Sequence, residues 1–124
     1  MLPLTIDTQD KYTLVTVGAE RLNSLNAPEL KSNFVVLSNG GVRNIIINLE
    51  QVQYSDSSGI SALLVGNRLC ADAGGTFVVA AAKDPVKKVM KIAQIDKVIN
   101  MTPTTSEAVD LVFMDEIERS IDAE

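Results

Sequence analysis

Short stretches of β-branched and aromatic residues open the chain and predict an N-terminal β-hairpin over residues 4–8 and 12–18. Two later stretches, residues 45–47 and 77–80, are continuously apolar rather than alternating with polar positions. Unbroken apolar runs are typical of strands that are covered on both faces, so we expect both to be central parallel strands. A further short strand is predicted at residues 98–101.

The first predicted helix lies between the hairpin and the first central strand. It begins at an N-cap residue, Asn26, has a proline in its first turn, and ends at the glycine pair 40–41. Its apolar residues recur at helical spacing and are Leu30, Phe34 and Leu37. This spacing indicates one face packed against the sheet.

A second predicted helix begins near Ser57 and ends before the glycine pair 74–75. One side of it carries Ile60, Leu63, Leu64, Asn67, Cys70 and Ala71. The opposite strip, formed by Ser61, Arg68 and Asp72, is narrow. We therefore expect this helix to be mostly covered by other parts of the fold.

Cap signals mark the starts of two further helices. Asp84 is a predicted N-cap followed by Pro85, and Thr104 with Glu107 three residues later forms a capping box. The predicted inner faces are Val86, Val89, Met90 and Ala93 in the third helix and Ala108, Leu111 and Val112 in the fourth. The fourth helix also carries a second apolar stripe, which covers either another part of the domain or another chain. This stripe consists of Met114, Ile117 and Ile121.

The predicted elements follow the order β-β-α-β-α-β-α-β-α, which indicates an α/β fold. We expect a mixed β-sheet begun by the N-terminal hairpin, with right-handed crossovers and about four helices packed against it. A chain of 124 residues with 46% apolar content is long enough for one compact core and too short for two. The sequence thus predicts a single domain over residues 1–124.

Composition excludes several classes of chemistry. The net charge of -5 disfavours direct binding to nucleic acid or to anionic lipid. The chain contains no histidine, which excludes Ser-His and Cys-His nucleophiles and histidine-bearing zinc sites. Its single cysteine, Cys70, cannot form an internal disulfide and is predicted to be a buried apolar residue. With no leader-like segment and no long apolar run, the protein is predicted to be cytoplasmic and not membrane-bound.

Nucleotide-binding signatures are absent from the sequence. Neither a P-loop nor a dinucleotide-binding glycine motif occurs, and both glycine pairs follow predicted helices rather than precede them. We therefore expect no cofactor and no metal, and we expect the protein not to be an enzyme.

Polar residues concentrate where the first central strand is followed by the second helix. Ser55, Asp56, Ser57 and Ser58 surround the start of that helix, and Gly59 is expected to leave room beside them. A phosphoryl group on a serine there would carry a charge of roughly -1.5 to -2 and would face helix N–H groups that favour anions. Serine and aspartate are also preferred N-cap residues, so a purely structural cap is the alternative interpretation.

The segment from Asp56 to Ile60, Asp-Ser-Ser-Gly-Ile, is similar to the D-S-S-G-L segment of STAS domains, in particular of bacterial anti-sigma factor antagonists. The resemblance extends over nearly the whole chain, from the opening hairpin through the Asp84-Pro85-Val86 helix start to the closing helix. In that context the motif is fairly specific.

The resemblance implies a regulatory switch without catalysis. Ser58 would be phosphorylated by a partner that is both a serine kinase and an anti-sigma factor, and a PP2C-type phosphatase would reverse the modification. Ser57 is the alternative site, and Asp56 and Gly59 would support the phosphorylated residue. The unphosphorylated antagonist would bind the anti-sigma factor and free the sigma factor.

Two positions depart from the family's pattern. Leu22-Asn23 stands where Leu-Asp is common, which removes a carboxylate beside the expected docking edge and leaves the identity of the partner open. Asn48-Leu49 stands where Asp-Leu is common, although a neutral amide can still form hydrogen bonds. The docking surface that we expect consists of Asn23, Ser24, Asn26, Ser61, Val65 and Arg68.

Three other functions compete with this interpretation. A permanently bound STAS scaffold subunit of a transport or stress-signalling complex would lack the phosphorylation. A receiver domain would use Asp56 as phosphoacceptor, but its acidic cluster after the first strand is missing. A hydrolase would need a general base for Ser58, for which only lysines are available. A weak homo-oligomer is compatible with each of these functions.

Overall fold

A computed structural model describes residues 2–122 and is organised around a five-stranded β-sheet. The strands are β1 (Leu4–Thr8), β2 (Thr13–Val17), β3 (Arg21–Leu22), β4 (Ile45–Asn48), β5 (Tyr54–Ser55), β6 (Phe77–Ala80) and β7 (Asn100–Thr102). The helices are α1 (Ala27–Asn39), α2 (Ser57–Asp72), α3 (Asp84–Ile92) and α4 (Thr105–Asp122), with a 3₁₀ turn at Ile95–Lys97. The α/β class, the mixed sheet and the four helices predicted from the sequence are confirmed.

The main sheet has the strand order β1-β2-β4-β6-β7. Strand β1 pairs antiparallel with β2, with Ile6 opposite Val15, which confirms the N-terminal hairpin. All other neighbours are parallel, and β4 and β6 occupy central positions as the unbroken apolar runs predicted. In this register Ile46 lies between Leu14 and Val78.

Helices α1, α2 and α3 cover one face of the sheet. Because side chains alternate along a strand, Ile45 and Ile47 of β4 point to this face while Ile46 points to the other. The larger core lies here, and it includes Leu30 and Phe34 from α1. From α2 and α3 it takes Ile60, Leu63, Cys70, Val86 and Met90.

A glycine allows the two largest side chains of this core to meet. The rings of Phe34 and Phe77 form an edge-to-face pair with centroids 5.6 Å apart. A Cβ atom at Gly66 of α2 would lie 2.5 Å from the Phe77 ring and 2.9 Å from the Phe34 ring. Any larger residue at position 66 would therefore displace the aromatic pair.

Helix α4 covers the opposite face of the sheet. Its buried residues Ala108 and Val112 pack on Ile46, Val78 and Ala80 in a smaller, separate core. The predicted inner face of α4 is therefore confirmed. Thr104 Oγ1 accepts a hydrogen bond from the Glu107 N–H at 3.1 Å, so Thr104 also caps the helix as predicted.

A polar network fastens the second half of α4 to the sheet. The buried Asn44 donates from Nδ2 to Glu116 Oε1 at 2.6 Å, and Arg43 donates to Glu116 Oε2 at 2.7 Å. Arg119 donates to Glu116 Oε1 at 2.9 Å and to the hydroxyl of Thr76, also at 2.9 Å. Glu116 thus joins α4 to the segment that precedes β4. Arg119 and Asp115, which accepts a hydrogen bond from the Thr76 hydroxyl, join α4 to the segment that precedes β6.

The last strand lies further along the chain than predicted. Its predicted range was 98–101, whereas β7 is Asn100–Thr102. The carbonyl of Ile95 accepts hydrogen bonds from the N–H groups of Val98 and Ile99, so these residues belong to a turn rather than to a ladder. Ile99 is buried and Val98 is exposed, which explains why the pair resembles part of an alternating strand in the sequence.

Four details of the predicted helices are wrong. Lys83 rather than Asp84 is the N-cap of α3, and Asp84 is exposed in the first turn, paired with Lys87 at 3.4 Å. Leu64 and Ala71, predicted on the covered side of α2, are exposed. Ala93, predicted on the inner face of the third helix, is exposed at the C-cap of α3.

The second apolar stripe of α4 is not covered within the described part of the chain. Met114, Ile117 and Ile121 are exposed, with 59%, 60% and 64% of their surface accessible. This contradicts the interpretation that the stripe packs on another part of the domain. Whether a second chain covers it stays a prediction.

The Glu116 network generates a pH-dependent prediction. Its hydrogen bond with Asn44, aided by Arg119 and Arg43, lowers the pKa of Glu116 from its ordinary value of 4.5, while burial opposes the shift. A lowered folded-state pKa gives stability above about pH 4.5 that is lost as the pH falls through the folded value. Glu116→Gln should lower the free energy of unfolding by about 1–3 kcal/mol at pH 7.

Urea unfolding between pH 3 and pH 7 measures this effect. The difference between the wild type and Glu116→Gln should shrink as the pH falls, because the wild-type carboxylate is then protonated as well. Glu118→Gln, an exposed change on the same helix, is the matched control and should unfold like the wild type. A pH-independent difference would show that the charge of Glu116 does not stabilise the fold.

Candidate functional site

Strands β3 and β5 form a second sheet, which sequence patterns did not predict. It places the turn before α1 beside the segment that leads into α2. Strands β3 and β5 pair in parallel, with Arg21 opposite Tyr54 and Leu22 opposite Ser55. The pairing continues past β5, where the N–H of Asp56 donates to the carbonyl of Leu22 at 3.0 Å. Both strands lead directly into the polar residues of interest, so the start of α2 lies beside the turn that precedes α1.

Asp56, one of the four polar residues around the start of α2, is its N-cap. Its backbone is extended, with φ -91° and ψ -174°, and its Oδ1 accepts hydrogen bonds from two N–H groups. The N–H of Ser58 donates at 2.8 Å and that of Gly59 at 3.2 Å. The carboxylate therefore satisfies two of the donors that a helix leaves unpaired in its first turn.

The three serines around this cap differ in accessibility. Ser55 is fully buried and its hydroxyl donates to the carbonyl of Asp56 at 3.1 Å. Ser57, the first residue of α2, is exposed, and Ser58 is partly buried. Only Ser57 and Ser58 thus offer a side chain that another protein could reach.

Gly59 does not leave room beside the serines, contrary to the expectation from the sequence. A Cβ atom at this position would collide with the hydroxyl of Ser55 and would lie 2.7 Å from Cβ of Leu22. Glycine is needed because α2 approaches β3 and β5 so closely. Its role is to hold the helix start against the turn before α1, not to provide space for a phosphate.

The turn at residues 23–26 is held by its own side chains. The N–H of Asn23 donates to Asn26 Oδ1 at 2.9 Å, and the N–H of Leu25 donates to Asn23 Oδ1 at 3.0 Å. Asn26 Nδ2 donates to the carbonyl of Arg21 at 2.8 Å. Asn26 occupies the N-cap position of α1, but its side chain makes no cap hydrogen bond, contrary to the prediction. Both asparagines shape the turn.

Leu25 is a residue of this turn that sequence reasoning missed. Its surface is 91% accessible, and Ser24 beside it is exposed too. The available signal was a single apolar residue within an otherwise polar connection, residues 23–26.

The predicted outer strip of α2 is only partly accessible. Ser61 and Arg68 are exposed, and Val65 is partly buried. Leu64, which lies between Ser61 and Val65 in the sequence, is 36% exposed. These side chains begin one turn after Ser58 and extend along the same helix. Their role in partner binding, like that of Asn23, Ser24 and Asn26, stays a prediction.

Other candidate chemistry is limited in the described residues. Cys70 is buried, and burial raises the pKa of its thiol to about 12, so it packs as an apolar side chain. Within residues 2–122, no group of three or more acidic or cysteine side chains is placed to hold a metal ion. None of the helices in this range has the length and apolar character needed to cross a membrane.

A family model for the STAS domain matches residues 4–108, which covers the sheet, α1 to α3 and the start of α4. The chain belongs to the STAS domain family. The fold that the resemblance implied is thereby confirmed, and residues 56–60, the segment that carried it, lie within the match.

The chain is similar to two proteins named as anti-sigma factor antagonists. The anti-sigma-B factor antagonist of Staphylococcus aureus is 42% identical over 65 residues, 52% of this chain and 58% of that protein. An anti-sigma factor antagonist from Mycobacterium paratuberculosis has a similar structure, with a TM-score of 0.80 and 20% identity over 90% of this chain and 94% of that chain.

A second similar structure is the Bacillus cell fate determinant SpoIIAA in its phosphorylated form. Its TM-score is 0.69 and its identity 19%, over 89% of this chain and 99% of that chain. At such identities the two structural likenesses show a shared fold.

The Asp56 cap generates a stability prediction. Asp56→Ala should lower the free energy of unfolding by about 1 kcal/mol, because the N–H groups of Ser58 and Gly59 lose their acceptor. Asp56→Asn, which keeps an acceptor oxygen, should lose less. Urea unfolding measures both, and Asp72→Ala at the exposed end of α2 is the control. Equal stability of Asp56→Ala and the wild type would show that the cap is dispensable for folding.

Proposed function

We propose that this STAS domain is an anti-sigma factor antagonist that works by partner switching. The unphosphorylated form binds an anti-sigma factor that is also a serine kinase, and phosphorylation of Ser58 releases it. A PP2C-type phosphatase restores the binding form. The protein itself acts by binding rather than by catalysis, and it contacts neither nucleic acid nor membrane in doing so.

The observation that carries this proposal is the accessibility of Ser58 at a capped helix start. Ser58 is partly exposed in the first turn of α2, whereas Ser55 two residues before that helix is sealed in the interior. A kinase can reach the first hydroxyl and not the second. The names of the Staphylococcus aureus relative and of the phosphorylated Bacillus structure support the same function.

The geometry also supports release rather than binding as the result of phosphorylation. The N–H groups of Ser58 and Gly59 already donate to Asp56, so a phosphoryl group on Ser58 does not find these donors free. Its charge of roughly -1.5 to -2 lies beside the Asp56 carboxylate and is repelled from the helix start. The group would therefore project from the surface, where it would oppose a docked partner.

Ser57 is the competing acceptor and is the more exposed of the two serines. Exposure alone would favour Ser57, because a kinase needs access to the hydroxyl. We place the modification on Ser58 because this position matches the second serine of the family motif. The two sites differ by one residue on a helix, so a substitution at each distinguishes them.

Phosphorylation in vitro tests the proposal. Each anti-sigma factor kinase of the host bacterium is incubated with the wild type and ATP, and phosphopeptides are mapped by mass spectrometry. We expect close to one phosphate per molecule, on Ser58. Ser58→Ala should reduce incorporation at least a hundredfold, whereas Ser57→Ala, the matched control, should be modified within a few-fold of the wild-type rate.

Two outcomes would contradict the proposal. Incorporation that survives in Ser58→Ala and disappears in Ser57→Ala would move the switch to Ser57. Absence of label from both serines with every kinase would reject the phosphorylation switch and favour a permanently bound scaffold subunit.

A further inference from the structure

Leu25 is exposed to a degree unusual for a large apolar side chain. Among the large apolar residues of 2–122, its 91% accessibility is the highest, followed by Ile92 at 73%. Single exposed apolar residues are common on protein surfaces and need no explanation by themselves. The position of Leu25 is what distinguishes it.

The turn around Leu25 is held by its own side-chain hydrogen bonds, and residues 23–26 carry no charge. Asn23 Oδ1 accepts from the Leu25 N–H, and Asn26 fastens both ends of the turn through hydrogen bonds to Asn23 and Arg21. The side-chain oxygens of both asparagines and the amide group of Asn26 are thus engaged in holding the turn. What the turn presents outward is the Leu25 side chain and the hydroxyl of its neighbour Ser24.

The turn is coupled to the candidate phosphorylation site. It continues directly from β3, whose Leu22 pairs with Ser55 and accepts from the N–H of Asp56, the cap of α2. The tight contact at Gly59 keeps the two segments together. The turn at residues 23–26 therefore lies on the same edge of the molecule as Ser58, where a docked kinase would meet it.

The exposed apolar residues of α4 and of the end of α1 lie too far from Ser58 in the fold to serve the same partner in this way. The stripe of Met114, Ile117 and Ile121 lies on α4, which covers the opposite face of the main sheet. Val36 is 67% exposed but lies near the far end of α1, whose last residue is Asn39. Leu25 is the large apolar side chain that the turn itself contributes.

We propose that Leu25 is an apolar anchor that inserts into a neutral hydrophobic pocket of the anti-sigma factor kinase, beside the cleft that receives Ser58. This inference rests on the proposed function and adds to it a residue that determines affinity. Anchors of this kind are buried near the centre of an interface and account for a large share of its affinity. A turn that is already ordered loses little conformational freedom on binding, which favours this role.

Titration calorimetry with the purified kinase and ADP measures the contribution of Leu25. We expect Leu25→Ser to raise Kd at least tenfold, because a leucine side chain is no longer buried on binding. Leu25→Met, which keeps an apolar side chain of similar size, should stay within a few-fold of the wild type. Val36→Ser is the matched control for loss of exposed apolar surface and should leave Kd unchanged.

Phosphorylation kinetics provide a second readout. Leu25 lies outside the reacting group, so Leu25→Ser should raise KM for the protein substrate at least tenfold and leave kcat unchanged. A thermal midpoint equal to that of the wild type verifies that the exposed substitution has not disturbed the fold.

The outcomes separate the two proposals. Wild-type Kd and KM for Leu25→Ser, with normal phosphorylation of Ser58, would overturn the anchor and leave the proposed function standing. An equal loss of affinity in Leu25→Ser and Val36→Ser would also overturn it, because the effect would not be specific to the turn. Failure of every kinase to bind the wild type would overturn both.

Discussion

The parallel pairing of β3 with β5 is the contact on which the candidate site depends. It places Leu22 opposite Ser55, and the N–H of Asp56 extends it by one more hydrogen bond to Leu22. The contact requires glycine at position 59, because a Cβ atom there would collide with the Ser55 hydroxyl and crowd Leu22. Without this close approach, the capped start of α2 and the turn before α1 would be separate surfaces.

This arrangement places Leu25, which would favour partner binding, on the same edge of the molecule as Ser58, whose phosphorylation would oppose it. Leu25 offers apolar surface that favours association in every state of the protein, and a phosphate on Ser58 would add charge that opposes association in one state only. Because the N–H groups of Ser58 and Gly59 already donate to Asp56, these two donors are not free to neutralise that charge. Leu25 then contributes binding free energy, whereas Ser58 determines whether binding occurs. The two residues belong to adjacent segments of the fold.

Sequence patterns predicted the architecture because each main element carries a run or a regular spacing of apolar residues. The continuously apolar runs at β4 and β6 identified the central strands, and the spacing of Leu30 and Phe34 identified the inner face of α1. They did not predict β3 and β5, since a two-residue strand has no periodicity, and they gave the wrong reason for Gly59. Asp56 could be predicted as a cap from residue type, whereas the accessibility of Ser58 and Leu25 depends on which elements pack around them.

The affinity of the kinase for the two forms of the protein tests the switch most directly. The wild type is phosphorylated to completion by its kinase, repurified and titrated with that kinase and ADP, and the same sample is titrated again after treatment with a PP2C-type phosphatase. We expect phosphorylation to raise Kd at least a hundredfold and dephosphorylation to restore it. Equal Kd values for the two forms would contradict partner switching and would assign the protein to permanently bound STAS scaffolds.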